Sequence, residues 1–263
     1  MKTLINWKVF FILWIAAILA TLAVLPYALE LQASTLTTAD LPISLPVLIA
    51  LQTVQTAILF AIMIFIGMLL ASRVGLGTPI LEAATRGESV ADRVRSILPI
   101  SILLGIMGAL LIIALEVWIF QPAMLHELGE AAAALGLQNA QPAAWKGFLA
   151  SFYGGIAEEI QLRLFVMSLL VWLGRFLSRT AEGKPTAAVF WVAAILAAIL
   201  FGLGHLPATA ALLPLSSLVV TRAIVLNGLL GVAFGWLYWK RGLEAAIVSH
   251  FAADIVLHVI LAI

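Results

Sequence analysis

Seven apolar runs, each long enough to cross a bilayer, decide what this chain can fold into. They lie near residues 7–29, 46–72, 96–119, 144–174, 187–205, 217–239 and 243–263, and a spanning helix takes about 20 residues. The expected fold is therefore all-α: a polytopic membrane helix bundle of seven transmembrane helices. The count becomes eight if Leu206–Val220, with Pro207, Pro214, Ser216 and Ser217, hides a re-entrant piece or a further span. Composition rules out a soluble domain, since 64% of the residues are hydrophobic and 10% charged, against about 45–50% apolar in ordinary globular chains. The 263 residues are read as a single integral membrane domain, 1–263, with no room for a soluble second one. A net charge of +1 without a clustered basic face excludes nucleic acid as a partner. The absence of cysteine excludes disulfides, thiolate zinc sites and thiol nucleophiles.

Loop charges orient the bundle. Lys2 and Lys8 precede the run Val9–Leu25, which is longer than the about 7–15 apolar residues of a signal peptide and reads as a retained first helix. The stretch Gln32–Pro42 holds no Lys or Arg, whereas the next connection carries Arg73, Arg86, Arg93 and Arg95 among Gly75, Gly77, Pro79 and Gly87. Arg175, Arg179 and Lys184 fill the fourth loop and Lys240-Arg241 the sixth. Eleven of the fourteen basic residues fall on one side, the exceptions being Lys146, Arg163 and Arg222. The positive-inside rule then places the N-terminus in the cytoplasm and the C-terminus outside, as expected for a protein of the cell membrane. Trp7, Trp118, Trp145, Trp172, Trp236 and Trp239 sit near expected helix ends, where interfacial aromatics gather.

Against this apolar background, Gly154-Gly155-Ile156-Ala157-Glu158-Glu159-Ile160-Gln161-Leu162-Arg163 stands out. A charged side chain at the centre of a membrane helix costs roughly 2.5–3.5 kcal/mol, so such groups face the protein interior and mark function. On a helix Glu159 and Arg163 share a face in ion-pairing order, while Glu158 points about 100° away and stays free to handle a proton or a water. His205 ends the fifth run in Phe201-Gly202-Leu203-Gly204-His205. In the last run His250 and Asp254 are four apart on one face, with His258 one turn further. Counted from the basic flanks at about 1.5 Å per residue, Glu158 lies about 25 Å in, His205 about 30 Å, His250 about 14 Å and Asp254 about 20 Å. The competing readings of these groups are a buried polar knot and an interhelical hydrogen-bond ladder that only fix packing. His126-Glu127-Leu128-Gly129-Glu130 lacks the second histidine of a zinc helix and is assigned to an external loop. Glu116 is assigned to the interface, and Glu244 is expected to pair with Lys240 and Arg241.

Three motifs in order resemble the CAAX protease and bacteriocin-processing family of intramembrane glutamic endopeptidases, which includes the Ras-converting enzymes. Glu158-Glu159-Ile160-Gln161-Leu162-Arg163 is similar to that family's Glu-Glu-x-x-x-Arg, Phe201–His205 to its Phe-x-x-x-His, and His250–Asp254 to its His-x-x-x-Asn/Asp. The resemblance covers roughly residues 144–258, the expected catalytic core, and does not reach the first three helices. It implies that Glu158 with His205 activates a water for attack on a peptide carbonyl, and that His250 with Asp254 stabilises the oxyanion. Glu159 and Arg163 hold the site in shape. An ionised Asp254 can only accept hydrogen bonds, so Asp254 is either protonated or acts to orient and charge His250, and the second role is the one favoured. No cofactor and no metal are implied, and the partner is a peptide or membrane-protein substrate: a bacteriocin leader, a secretion-signal fragment, a regulatory peptide or a prenylated C-terminus. The alternatives are a zinc peptidase using Glu158, His205 and His250, a non-proteolytic immunity or sorting factor, and a proton-coupled transporter relaying through Glu158, Glu159 and Asp254.

Overall fold

The computed structural model describes residues 5–31, 43–129, 142–211 and 213–261, so the stretch Gln32–Pro42, whose lack of Lys and Arg reads as an external loop, lies outside the described residues, as does Glu130. Among the described residues the elements are helices, joined by one isolated β-bridge between Arg179 and Pro185. Helices suit lipid because each backbone group finds its partner within the segment.

The chain runs through α1 (Trp7–Ala23), α2 (Leu25–Leu31), α3 (Leu45–Val74), α4 (Pro79–Thr85), α5 (Ala91–Leu115) and α6 (Gln121–Leu128). It continues as α7 (Ala144–Phe152), two π-helical segments, Tyr153–Glu158 and Ile160–Met167, and α8 (Ser168–Gly174), forming one uninterrupted helical run. Then come α9 (Ala187–Gly204), α10 (Leu206–Ala210), α11 (Ser217–Arg241) and α12 (Leu243–Asp254), the last prolonged by a π segment at Ile255–Ile260.

Six of these runs are long and apolar enough to cross a membrane: Trp7–Leu31, Leu45–Val74, Ala91–Leu128, Ala187–Ala210, Ser217–Arg241 and Leu243–Ile260. The protein is an integral membrane protein. The seventh expected span, 144–174, is fully helical but carries Lys146, Glu158, Glu159 and Arg163 and alternates α and π turns. It is the interior helix, packed against α1, α3 and α12. The suspected extra span within Leu206–Val220 is the five-residue α10, far shorter than the about 20 residues a crossing needs.

The third span also differs from expectation. The sequence pattern predicts 96–119, but the helix passes through a π turn, Glu116–Phe120, and continues to Leu128. The π turn widens the coil just before Pro122, where the ring and the missing N–H would otherwise break the ladder. His126 and Glu127 therefore sit on α6 rather than in a loop, and Trp118 lies inside the run rather than at its end.

Small residues set the close contacts. Apolar burial between helices drives little in lipid, so interfaces rely on backbones approaching closely. On α5 the buried positions Ser101, Gly105 and Ala109 repeat every four residues, and a Cβ on Gly105 would strike the Ser249 carbonyl of α12 and come within 3.0 Å of Ala252 Cβ. Antiparallel α9 and α11 meet in the same manner: Gly231 faces Ala198, Gly235 faces Ala194 and Gly202 faces Ile224.

At one end the elements are tied by polar groups. Asn6 caps α1 through Lys8 N and Val9 N and donates to Thr85 Oγ1 at 2.8 Å. Glu244 does not pair with Lys240 or Arg241. Its Oε1 accepts from Ile80 N and Leu81 N at 3.0 and 2.8 Å, capping α4, while Leu243 N donates to Gly77 O. The two amides at the start of α4 have no acceptor within their own helix, and the carboxylate satisfies both. In the same connection the hydrogen bond from Arg86 holds the Glu88 carboxyl below the usual carboxylate range. Ten basic residues of the described chain, from Lys8 to Arg241, lie on element ends that meet here. Lys146 and Arg222 lie toward the opposite end, paired with Glu30 and Glu116 respectively.

Candidate active site

The interior helix presents Glu158 at the close of its first π segment, Glu159 at the single α residue that follows, and Arg163 in the second π segment. In π turns the backbone bond runs to i+5, and such turns recur at functional sites. Gly154 and Gly155 let this helix approach α12. A Cβ at Gly154 would collide with the Asp254 carboxylate and lie 3.1 Å from His250 Nε2, and one at Gly155 would lie 3.1 Å from Phe251 Cβ. His205 sits at the junction of α9 and α10, while His250 and Asp254 lie on α12.

The polar side chains form two layers. The inner layer is sealed: Glu159 and Arg163 are 0% exposed, with Arg163 Nη1 3.2 Å from Glu159 Oε1. Arg163 Nη2 donates to the Gly231 carbonyl at 2.9 Å, and the guanidinium lies 5.4 Å from the centroids of both Phe201 and Phe234. Cation–π contact and a backbone acceptor thus supplement a single carboxylate. Deeper still, the Ser168 and Tyr238 hydroxyls pair at 2.8 Å.

Glu159 has a second partner. Its Oε1 accepts from His250 Nδ1 at 2.8 Å, while the imidazole stacks on Phe234 at 4.6 Å. The sequence reading made Asp254 the group that orients His250, but Asp254 Oδ1 is 3.7 Å from Nε2, beyond hydrogen-bond length. Glu159 holds the ring, and the Asp254 carboxyl lies beside it. With Nδ1 committed to a carboxylate, His250 turns Nε2 outward, 3.6 Å from Glu158 Oε2.

The outer layer lines a cavity of about 350 Å³ that brings Glu158, His205, His250 and Asp254 together. His205 Nδ1 is 2.9 Å from the Phe201 carbonyl, and its ring stands edge-on to Phe201 at 4.7 Å. A carbonyl can only accept, so Nδ1 carries the proton and Nε2 is left as the basic nitrogen of the neutral ring.

Tyr27, Tyr153, Asn227 and His258 also line the cavity. Tyr27 bonds His258 Nδ1 at 3.1 Å, and Asn227 Nδ2 donates to Ala223 O at 2.8 Å. Sequence reasoning left out both tyrosines and Asn227. The one available signal was Asn227 itself, an amide inside the apolar run of α11. His126 and Glu127 are absent from the cavity lining, and Glu116 is bound to Arg222 at 2.7 Å. Among the described residues no group of three His, Asp or Glu side chains is arranged to hold a metal ion.

The arrangement can place a water between an acid–base carboxylate and an imidazole, next to a second imidazole able to donate toward developing negative charge. No curated protein and no solved structure matches the chain. Residues 140–256 match the model of the family described as type II CAAX prenyl endopeptidase, Rce1-like, and that segment holds Glu158, Glu159, Arg163, His205, His250 and Asp254. The similarity to that family is confined to this segment, and residues 1–139 lie outside the match.

Proposed function

We propose that the protein is an intramembrane endopeptidase that hydrolyses a peptide bond with a water activated by Glu158 and His205, without a covalent intermediate. The water oxygen adds to the scissile carbonyl carbon while its proton passes to Glu158 or to His205 Nε2. That proton then goes to the leaving amine as the C–N bond breaks. His250, protonated, donates through Nε2 to the oxyanion, a contribution of about 2.7–4 kcal/mol for donors of this kind. Glu159 orients that ring, Arg163 neutralises Glu159, and Asp254 supplies the counter-charge beside Nε2. Residues 144–258 form the catalytic core, and the N-terminus is cytoplasmic in the cell membrane.

One observation carries this reading: Glu158, His205, His250 and Asp254 arrive from three separate helical runs in a single cavity of an otherwise apolar interior. Purified wild-type protein, reconstituted in lipid, should hydrolyse members of a quenched apolar peptide library. Glu158→Ala and His205→Ala should each abolish hydrolysis while circular dichroism and gel filtration show an intact bundle. Retained hydrolysis in both variants would sink the proposal. Exhaustive chelation should leave the wild-type rate unchanged, and a loss restored by added zinc would instead assign the water to a metal.

A further inference from the structure

α3 carries a glutamine where polar groups cost most. On its inner side this helix packs on α1 and on the interior helix, and the contacts with α1 fix its depth. Trp7 meets Phe65 at 6.2 Å, and Trp14 Nε1 donates to Ala57 O at 2.7 Å, so the two helices run antiparallel. Trp7 and Lys8 begin α1 at the basic end, the place of interfacial residues. At about 1.5 Å per residue, Gln55 lies about 15 Å from Phe65 and about 15 Å from Leu45, where α3 begins. The hydrocarbon layer is about 30 Å thick, so the Gln55 amide sits near its middle.

Gln55 nevertheless faces away from the bundle. Leu51, Gln55, Ile58, Ile62 and Phe65 follow one another at steps of four, three, four and three residues, and all are exposed, the apolar members by 41–57%. The spacing alone decides nothing, because Ile12, Ile15, Leu19 and Leu22 of α1 also alternate steps of three and four on an exposed face. The amide singles α3 out, since lipid offers it no hydrogen-bond partner. Thr21 and Thr53 share a groove with Gln52 and Gln55, but their hydroxyls donate to their own helices, to Ala17 O and Ile49 O at 2.9 and 2.8 Å. A primary amide holds both donors and an acceptor, so two of them satisfy each other. Copies of one chain share one orientation in a membrane, and a two-fold axis along the membrane normal sets α3 parallel to α3 with Gln55 opposite Gln55 at one depth. We propose that the protein forms a two-fold dimer through this ridge of α3, the Gln55 amides of the two copies hydrogen-bonded to each other. The apolar members are the knobs of the seam, and its single polar residue fixes the register. A second copy supplies the matching amide at the required depth by symmetry, and the contact does not depend on the peptidase reading.

The chain contains no cysteine, so single cysteines report the contact in membranes of cells making the full chain. On oxidation with copper phenanthroline, Leu51→Cys and Ile58→Cys should each give a disulfide-linked product of twice the chain mass. Leu103→Cys, on α5 and similarly exposed at 55%, should stay monomeric. When purified Leu51→Cys protein is diluted in lipid vesicles, adding Gln55→Leu should raise the dimer dissociation constant about 3- to 30-fold, the range expected of interhelical side-chain hydrogen bonds. Gln55→Asn, which keeps an amide, should raise it less. The proposal is overturned if neither α3 reporter gives the double-mass product, if Leu103→Cys cross-links as well as they do, or if Gln55→Leu leaves the dissociation constant unchanged. A cross-linked product of any other mass overturns it too, and assigns the ridge to a different membrane protein.

Discussion

Gly154 has no side chain because the Asp254 carboxylate and His250 Nε2 occupy the place where one would be. Gly154→Ala should therefore lower peptide hydrolysis by more than tenfold in a protein that still folds. Gly228→Ala, whose nearest contact would be Ala198 O at 3.8 Å, should leave it unchanged. Glu159 and Arg163 are coupled more tightly still. Removing one partner strands a buried charge at a cost of about 3–5 kcal/mol, whereas replacing both with apolar groups is far milder. Thermal unfolding in detergent should thus rank Glu159→Gln below the double variant Glu159→Met/Arg163→Met, and an additive cycle would refute the coupling. Asp254→Asn, which exchanges a counter-charge for a neutral donor, should retain more activity than Asp254→Leu, as initial rates on one peptide would show. The Glu159–Arg163 pair was legible in the sequence, because four-residue spacing fixes a common helix face. The Glu159–His250 bond was not, since spacing sees one helix at a time and these two residues are 91 positions apart.

At the scale of elements, the site is positioned by seams of small residues. The seam Ser101, Gly105, Ala109 lets α5 seat directly on the backbone of α12, the helix that carries His250. Gly105→Leu should separate the two helices, lower the unfolding temperature by an amount equivalent to about 1–3 kcal/mol or more, and remove hydrolysis together with stability. Glu244 ties the other end of α12 to α4. Glu244→Ala leaves two helix-start amides without an acceptor, a loss of about 0.5–2 kcal/mol for a capping group. Trypsin should then cut at Arg86 or Arg93 faster than in the wild type. The apolar runs were legible because their period and length are local properties. The π turns at Tyr153–Met167, the continuation of α5 into α6 and the trans cap were not, since each depends on what packs against the chain rather than on the chain's own pattern.

For the whole molecule, two asymmetries coincide. Basic residues crowd one end, and a fully buried ion pair floors the polar cavity on that side. The charge asymmetry was plain in the loops of the sequence, and counting residues from the basic flanks already set Glu158, His205, His250 and Asp254 in the middle-to-outer part of the bundle, with His250 only about 14 Å in. The closed floor was not visible there, because it is assembled from Phe234 and Tyr238 of α11 against Ser168 and Arg163 of the interior helix. A single comparison of living cells tests whether this polar interior does peptide chemistry. Membrane peptides from cells with wild-type protein are set against those with the Glu158→Ala variant by mass spectrometry. The account predicts fragments found only with the wild type, and identical fragment sets from the two strains would contradict it.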